Sequence, residues 1–251
     1  VNVPDRVTVL GCPVDRLTIP EILVWMAGAI ARKAPSTMAV VNANKLYQMA
    51  GDAELRAMVT GADVIIPEWA MVWAARRLKQ PPLFHSGGLV VARAFLPFAE
   101  ARGYRPFFLG ATPEVIGALS TRLALEYPRL EVAGFHHGYL ADPVVEAAAI
   151  DHIRRTKPDV LFVAMGSPRQ ERWIARYHAT LGVPVSIGIG GSLDVLSGMK
   201  PDTPSWARGR GLEWLYRLAL DPRAYARRYL VTNTWFVAQV LKARFHLSLG
   251  S

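Results

Sequence analysis

Cysteine is nearly absent: Cys12 stands alone in 251 residues, which excludes a disulfide framework and a cysteine-based structural zinc site. A reducing compartment is compatible with that count. No run of 18 uninterrupted apolar residues occurs, so no membrane-spanning helix is expected, nor is a signal-peptide pattern present. A phosphate-binding loop with its lysine is missing, as is a GxGxxG between the first strand and the first helix, and ATPase and dinucleotide-oxidoreductase chemistry both lose their usual signatures. No grouping of His, Asp and Glu has metal-ligand spacing, and no nucleophile elbow surrounds a serine. Internal repeats and low-complexity tracts are lacking too. What remains, with 51% apolar and 20% charged residues, excludes a disordered chain and suffices for one sizeable core.

Charge is plentiful but one-sided. There are 29 Lys or Arg against 20 Asp or Glu, a net +9. From Ser197 onward nine Lys or Arg face only Asp202, Glu213 and Asp221, so most of the excess sits in the last fifth of the chain. Such a field favours phosphates on nucleic acid, on nucleotide ligands or on anionic lipid.

Along residues 7–191, short apolar runs alternate with helical periodicity. Strands are expected at 7–11, 37–42, 63–66, 104–110, 130–138, 159–166 and 183–191, and helices near 20–31, 45–59, 69–78, 88–101, 113–126, 143–155 and 168–179. Strands apolar on both faces and alternating with helices predict an α/β fold with a mainly parallel sheet covered on both sides. After Gly191 the rhythm stops. Residues 192–245 read as helical, and 223–245 mixes Arg223, Arg227, Arg228, Lys242 and Arg244 with Tyr225, Tyr229, Trp235 and Phe236. That mixture suits an interfacial helix, with aromatic and apolar side chains among lipid headgroups and arginines on their phosphates.

In a parallel α/β sheet ligands bind beyond the carboxyl ends of the strands, which directs attention to the polar residues there. Asn42 and Asn44 follow the second run. Gly110 with Thr112 at a helix start, and Gly190 and Gly191 leading to Asp194, can each accept a diphosphate or simply form tight turns. Glu68 follows a buried-looking strand behind Pro67 and beside Trp69. It reads as a general base in an apolar setting or as a helix-start carboxylate favoured by the dipole. In GSPRQERW (166–173), Ser167 is expected to cap a helix with Pro168 at its first position and Glu171 completing the turn. Arg169, Gln170 and Arg172 then lie near the ligand side, and capping gives no reason for Gln170. His136 and His137 either touch phosphate or pack and cap.

In this order, VTVLGCPVDRLTIPEIL (7–23), VVNANKLYQMA (40–50), VIIPEWAMVWAARRL (64–78), PFFLGATPEVI (106–116), VAGFHHGYL (132–140), KPDVLFVAMGSPRQERWI (157–174), GIGGSLDVLSGMK (188–200) and GLEWLYRLALDPRAYARRYL (211–230) resemble the WecG/TagA/CpsF family of bacterial glycosyltransferases over nearly the whole chain. The resemblance implies a Rossmann-like core, taken as residues 1–195, and a C-terminal helical appendage, 196–251, that meets the membrane and closes over the donor. It also implies an inverting, metal-independent transfer, without cofactor, from a UDP-sugar to a sugar on a polyprenyl diphosphate, at the cytoplasmic face of the inner membrane.

By position, Glu68 matches the proposed catalytic Asp of the family's Ile-Pro-Asp-Gly motif, Asn44 the Asn of Thr-x-Asn, and Gln170 the Gln after Gly-x-Pro. Asp194 falls in the nucleotide-side Gly-Gly segment, and Arg217, Arg223 and Arg227 match the basic appendage. Departures are concentrated at the sugar side: Asn42 for Thr, Glu68 for Asp, Trp69 for Gly, and Gly88 where many members carry Asp. PDTPSW (201–206) also replaces the usual Arg-Ala-Pro. These imply an active enzyme with altered sugar specificity, for glucose or a related hexose. A UDP-sugar-binding component without catalysis and a nucleic-acid-binding protein are the alternatives; homo-oligomerisation is left open.

Overall fold

Alternation within the strands builds the core. In the computed structural model, which describes residues 5–208 and 211–249 with side chains through Phe245, successive strand residues point to opposite faces and both faces are buried. Val40, Ile66, Phe108, Phe162 and Ile187 pack beneath one helical layer, and Ile65, Phe107, Leu109, Leu161 and Val163 beneath the other. This double burial explains strands that read as continuous apolar runs rather than alternating ones. Each fully buried large apolar side chain contributes about 1.5–3 kcal/mol of transfer free energy.

The main sheet holds β3 (Ser36–Val41), β4 (Val64–Pro67), β5 (Pro106–Gly110), β6 (Gly134–His136), β7 (Val160–Ala164) and β8 (Val185–Gly188), all parallel, in the order β4-β3-β8-β7-β5-β6. Helices α1 (Ile19–Arg32), α5 (Gly88–Arg102), α6 (Pro113–Glu126) and α9 (Ser192–Leu196) cover one face. Helices α2 (Ala43–Gly51), α3 (Ala53–Thr60), α4 (Trp69–Arg77), α7 (Pro143–Thr156) and α8 (Arg169–Leu181) cover the other. The architecture is the expected mostly parallel, Rossmann-like α/β arrangement followed by C-terminal helices.

Three local features differ from the sequence expectation. The first run is a hairpin, β1 (Arg6–Val9) and β2 (Cys12–Asp15), turning at Leu10 and Gly11, both at positive φ. Asp15, fully buried, takes a bidentate pair from Arg6 at 2.7 and 2.9 Å and accepts the Ile65 N–H at 2.7 Å, which ties the hairpin to the edge strand β4. The helix expected over 45–59 is two, because Asp52 caps α3 by accepting the Leu55 N–H at 2.9 Å. Ser167 does not cap α8: its hydroxyl donates to Gln48 Oε1 at 2.8 Å, and Pro168 holds the cap position.

Beyond α10 (Ser205–Arg208), α11 (Glu213–Leu220) leads into α12 (Pro222–Leu249). The second half of α12 lies on α2 and α4, with Phe236 and Val240 buried in the same cluster as Leu46 and Met71. Trp235 meets Tyr47 edge-on at 5.5 Å. The C-terminal helix is thus anchored in the core at one end and exposed over Arg223–Arg228 at the other, apart from half-buried Tyr225. Residues 1–4, 209–210 and 250–251, which include the outer limits of the two expected segments, lie outside the described residues. Cys12 sits in this same cluster, where burial pushes its thiol up to about 11.

Candidate active site

Adjacent parallel strands in register deliver their following residues side by side. Val41 pairs with Pro67 across β3 and β4, so Asn42 and Glu68 emerge together at the carboxyl ends. Asn42 serves two partners: its Oδ1 accepts the Lys45 N–H at 2.9 Å, capping α2, and its Nδ2 donates to Glu68 Oε2 at 3.0 Å. Glu68 occupies the N-cap position of α4 yet makes no side-chain capping bond. Its carboxylate faces Asn42 instead, so the side chain is not spent on capping, while its place at the helix start still suits the dipole. Asn44, half-buried two residues on, makes no side-chain hydrogen bond among the described residues.

A second polar group stands at this end. His85, in the segment between α4 and α5, stacks on Trp69 with ring centroids 4.8 Å apart and planes 20° off parallel. Burial lowers its pKa, against the opposing pull of the Glu68 charge. From α11, Glu213 also approaches: burial first, and the Glu68 charge second, raise its carboxyl, with Arg217 and Arg208 opposing. Gly211 brings that segment against the Trp69 side chain, at 3.7 Å from a Cβ built on the glycine.

The β7–β8 end is arranged differently. Gln170 is buried and fully engaged, its Oε1 accepting the Gly190 N–H at 3.0 Å and its Nε2 donating to Glu171 Oε1 at 2.8 Å. Glu171 also receives Lys45 Nζ at 2.6 Å in an ion pair whose side chains are only 4% and 8% exposed. Burial alone raises the Glu171 carboxyl, but the Lys45 charge and hydrogen bonds from Lys45 and Gln170 outweigh it and hold it low. Glu171 borders a cavity of about 220 Å³ between α3, α8 and β3, and its Oε2 makes no hydrogen bond among the described residues.

The other sequence candidates are dispersed. Gly190 adopts φ +55° and spends its N–H on Gln170, Gly191 opens α9, and Asp194 pairs with Lys200 at 3.1 Å. Thr112 caps α6 through the Val115 N–H at 3.3 Å. His136 Nδ1 faces the His137 carbonyl at 2.9 Å on β6, the opposite edge of the sheet. Four strands lie between β6 and β4, so His136 stands about 24 Å from the Glu68 end at the usual strand spacing. Arg169, Arg223 and Arg227 are exposed and make no ion pair among the described residues, while Arg217 is half-buried beside Glu213 and Tyr229. Arg172 ties α8 to the α3 cap through Asp52 at 2.6 Å. No cluster of three His, Cys, Asp or Glu among the described residues has the geometry to hold a metal ion.

Sequence reasoning passed over His85, Glu213 and Lys45, and took Glu171 only as part of a helix turn. Lys45 carried a signal, being four residues before the buried Met49 on the inner face of α2. His85 carried almost none, because its place depends on the turn of a loop.

The site is thus an amide holding a carboxylate at the ends of two neighbouring strands, with Glu213 of a C-terminal helix close by. The glycosyl transferase WecG/TagA/CpsF family matches residues 7–249. The chain belongs to this family. A Staphylococcus aureus (strain NCTC 8325 / PS 47) member, N-acetylglucosaminyldiphosphoundecaprenol N-acetyl-beta-D-mannosaminyltransferase, is 30% identical over 242 residues, 95% of this chain and 93% of its own length. A protein of the same description from Bacillus subtilis (strain 168) is 33% identical over 199 residues, 79% of this chain and 77% of its own. Membership makes this WecG/TagA/CpsF chain a glycosyltransferase, and among the described residues no helix is long and apolar enough to cross a membrane.

Proposed function

We propose that this protein is an inverting glycosyltransferase moving a hexose, of the glucose or N-acetylmannosamine type, from a UDP-sugar to a sugar on a polyprenyl diphosphate in bacterial surface or exopolysaccharide synthesis. The names of the two relatives specify an N-acetylmannosaminyl donor group and an N-acetylglucosaminyl-diphospho-undecaprenol acceptor, which supports this class of reaction. The observation that carries it is the Asn42–Glu68 hydrogen bond, which orients a carboxylate that caps nothing.

In this mechanism Glu68 takes the proton of an acceptor hydroxyl while that oxygen attacks C1 of the donor sugar. The bond from C1 to the diphosphate oxygen breaks, UDP leaves with the electron pair, and the anomeric centre inverts. Asn42 keeps the carboxylate aimed, and Asn44 sits beside the donor. Gln170 holds the Gly190–Asp194 turn on the nucleotide side. Arg217, Arg223 and Arg227 neutralise the departing diphosphate, charge stabilisation that counts most where water is excluded. Thr112, His136 and Arg169 take the outer parts of the two substrates.

The body, residues 1–195, carries the chemistry, and 196–251 closes the site and meets an anionic membrane at its cytoplasmic face. Exposed Trp214, Leu215, Leu220 and Leu230 beside exposed Arg223, Arg227 and Arg228 support that peripheral attachment. The test is incubation with detergent-dispersed polyprenyl-diphosphate sugars and a panel of UDP-sugars in EDTA, with lipid products read by mass spectrometry. One donor adding one sugar is expected. UDP binding with no transfer to any acceptor would instead favour a non-catalytic component of an assembly complex.

A further inference from the structure

Asn42 occupies one oxygen of Glu68, Oε2, and leaves the other to act. That second oxygen looks across Gly87 toward His85. A Cβ placed on Gly87 would lie 3.4 Å from Glu68 Oε1 and 3.3 Å from His85 Nε2, so both groups border one small space that a side chain at 87 would fill. The imidazole is not free to turn away. Its ring lies flat on Trp69, and the next residue, buried Ser86, donates its N–H to the Pro67 carbonyl at 3.0 Å. Gly88 then packs so closely on the strand-end residue Ile189 that a Cβ there would meet its Cα at 2.9 Å. The segment is pinned on both sides of the histidine.

Neither ring nitrogen of His85 has a hydrogen-bond partner among the described residues, and neither is sealed from solvent. With its pKa lowered by burial, the ring is neutral at pH 7 and offers one donor and one acceptor. A neutral imidazole suits a hydroxyl or an amide oxygen. A diphosphate is matched by the arginines instead.

The geometry points to His85 as an acceptor-binding residue, whose Nε2 hydrogen-bonds an acceptor-sugar oxygen next to the hydroxyl that Glu68 deprotonates. The assignment to the acceptor rests on the reading of Glu68 as the base: whatever faces its free oxygen faces the attacking hydroxyl. Two polar groups from different segments, converging on one space, read two oxygens of the same sugar ring and so set which acceptor is accepted.

The test compares His85→Phe, which keeps a ring on Trp69 and removes both nitrogens, with His85→Gln, which retains a hydrogen-bonding amide. Steady-state transfer is measured against a short-chain polyprenyl-diphosphate sugar and its single-deoxy analogues, alongside UDP affinity by calorimetry. His85→Phe should raise the acceptor KM roughly tenfold to a hundredfold, the usual penalty for leaving a substrate polar group unpaired. Donor KM and UDP affinity should stay within about twofold, and His85→Gln should recover part of the loss. Wild type should discriminate most against one deoxy analogue, His85→Gln less and His85→Phe least, and the first two can be compared even where the phenylalanine variant does not fold. An acceptor KM and a deoxy discrimination unchanged in the variants would overturn the assignment, as would an equal rise in donor KM. A wild-type chain that transfers to no acceptor would overturn the transferase reading itself, an outcome distinct from wild type and variants transferring alike.

Discussion

At the β7–β8 end of the sheet the polar side chains turn inward on one another, whereas at the β3–β4 end two groups are left facing an open space. Lys45, Glu171, Gln170 and Gly190 form a buried chain in which both Gln170 amide atoms and Lys45 Nζ have partners. Asn42, Glu68 and His85 instead share one hydrogen bond, with Glu68 Oε1 and the imidazole unspent among the described residues. A buried, nearly saturated network fixes backbone, because each of its members costs heavily if a partner is lost. An unsaturated one can do chemistry, because its free atoms are available to a substrate that displaces water from them. In the proposed mechanism the most conspicuous sequence motif, Gly-Ser-Pro-Arg-Gln, supplies the scaffold, and an inconspicuous loop supplies a substrate-facing edge.

Substitutions that strike one end and spare the other sharpen this contrast. Lys45→Met should have the largest effect on stability, about 3–5 kcal/mol in urea unfolding, since it strands Glu171 as a buried unpaired carboxylate. Glycine-to-alanine changes then separate the ends. At Gly188 a methyl would fall 2.6 Å from Gln170 Nε2 and break the latch on Gly190, for about 1–3 kcal/mol of stability. At Gly87, whose φ is an ordinary −56°, alanine should leave stability within about 1 kcal/mol and lower kcat/KM more than about tenfold, by filling the space between Glu68 and His85. A Gly87→Ala enzyme with normal turnover would break the comparison.

Asn42→Thr keeps a capping oxygen for α2 but loses the amide N–H to Glu68, so thermal unfolding should hardly move while kcat falls about tenfold. The smallest effect concerns acid. The Glu171 carboxyl titrates below its ordinary 4.5 in the folded state, so the unfolded chain takes up the proton first. Its stabilising contribution is complete above that ordinary value and drains away as pH falls through the folded one. Replacing Glu171 with Gln should flatten the acid limb of a stability–pH curve, and it lowers the neutral plateau as well because Lys45 is then buried without its counter-charge.

Much of the fold was legible because periodicity is local. Strands buried on both faces, helix α6 with Thr112 and Pro113 at its start, and the change of rhythm after Gly191 all follow from residues within a turn or two of one another. The insertion of β8 between β3 and β7 was not legible, since it depends on pairing residues some 150 positions apart. The β1–β2 turn was hidden because Leu10 takes a left-handed conformation that asparagine or glycine would have advertised.

Within the site, Glu68 and Asn42 could be read from their place after strands, and register then joined them. Ser167 looked like a cap by local rules, but a distant Gln48 claims its hydroxyl. Glu171 looked like a member of the same helix turn, but a lysine 126 positions away takes its charge. His136 shared the strand-end rule with Glu68 and lies at the far edge of the sheet.

The central claim is that Glu68 is the group that removes the acceptor proton. The most direct measurement is turnover of Glu68→Gln on the polyprenyl-diphosphate acceptor, with UDP affinity measured on the same preparation. The amide keeps the shape of the side chain and cannot accept the proton as a carboxylate does. Turnover should fall by roughly 10²–10⁴ while UDP affinity is unchanged. A Glu68→Gln protein that transfers sugar at the wild-type rate would contradict the account.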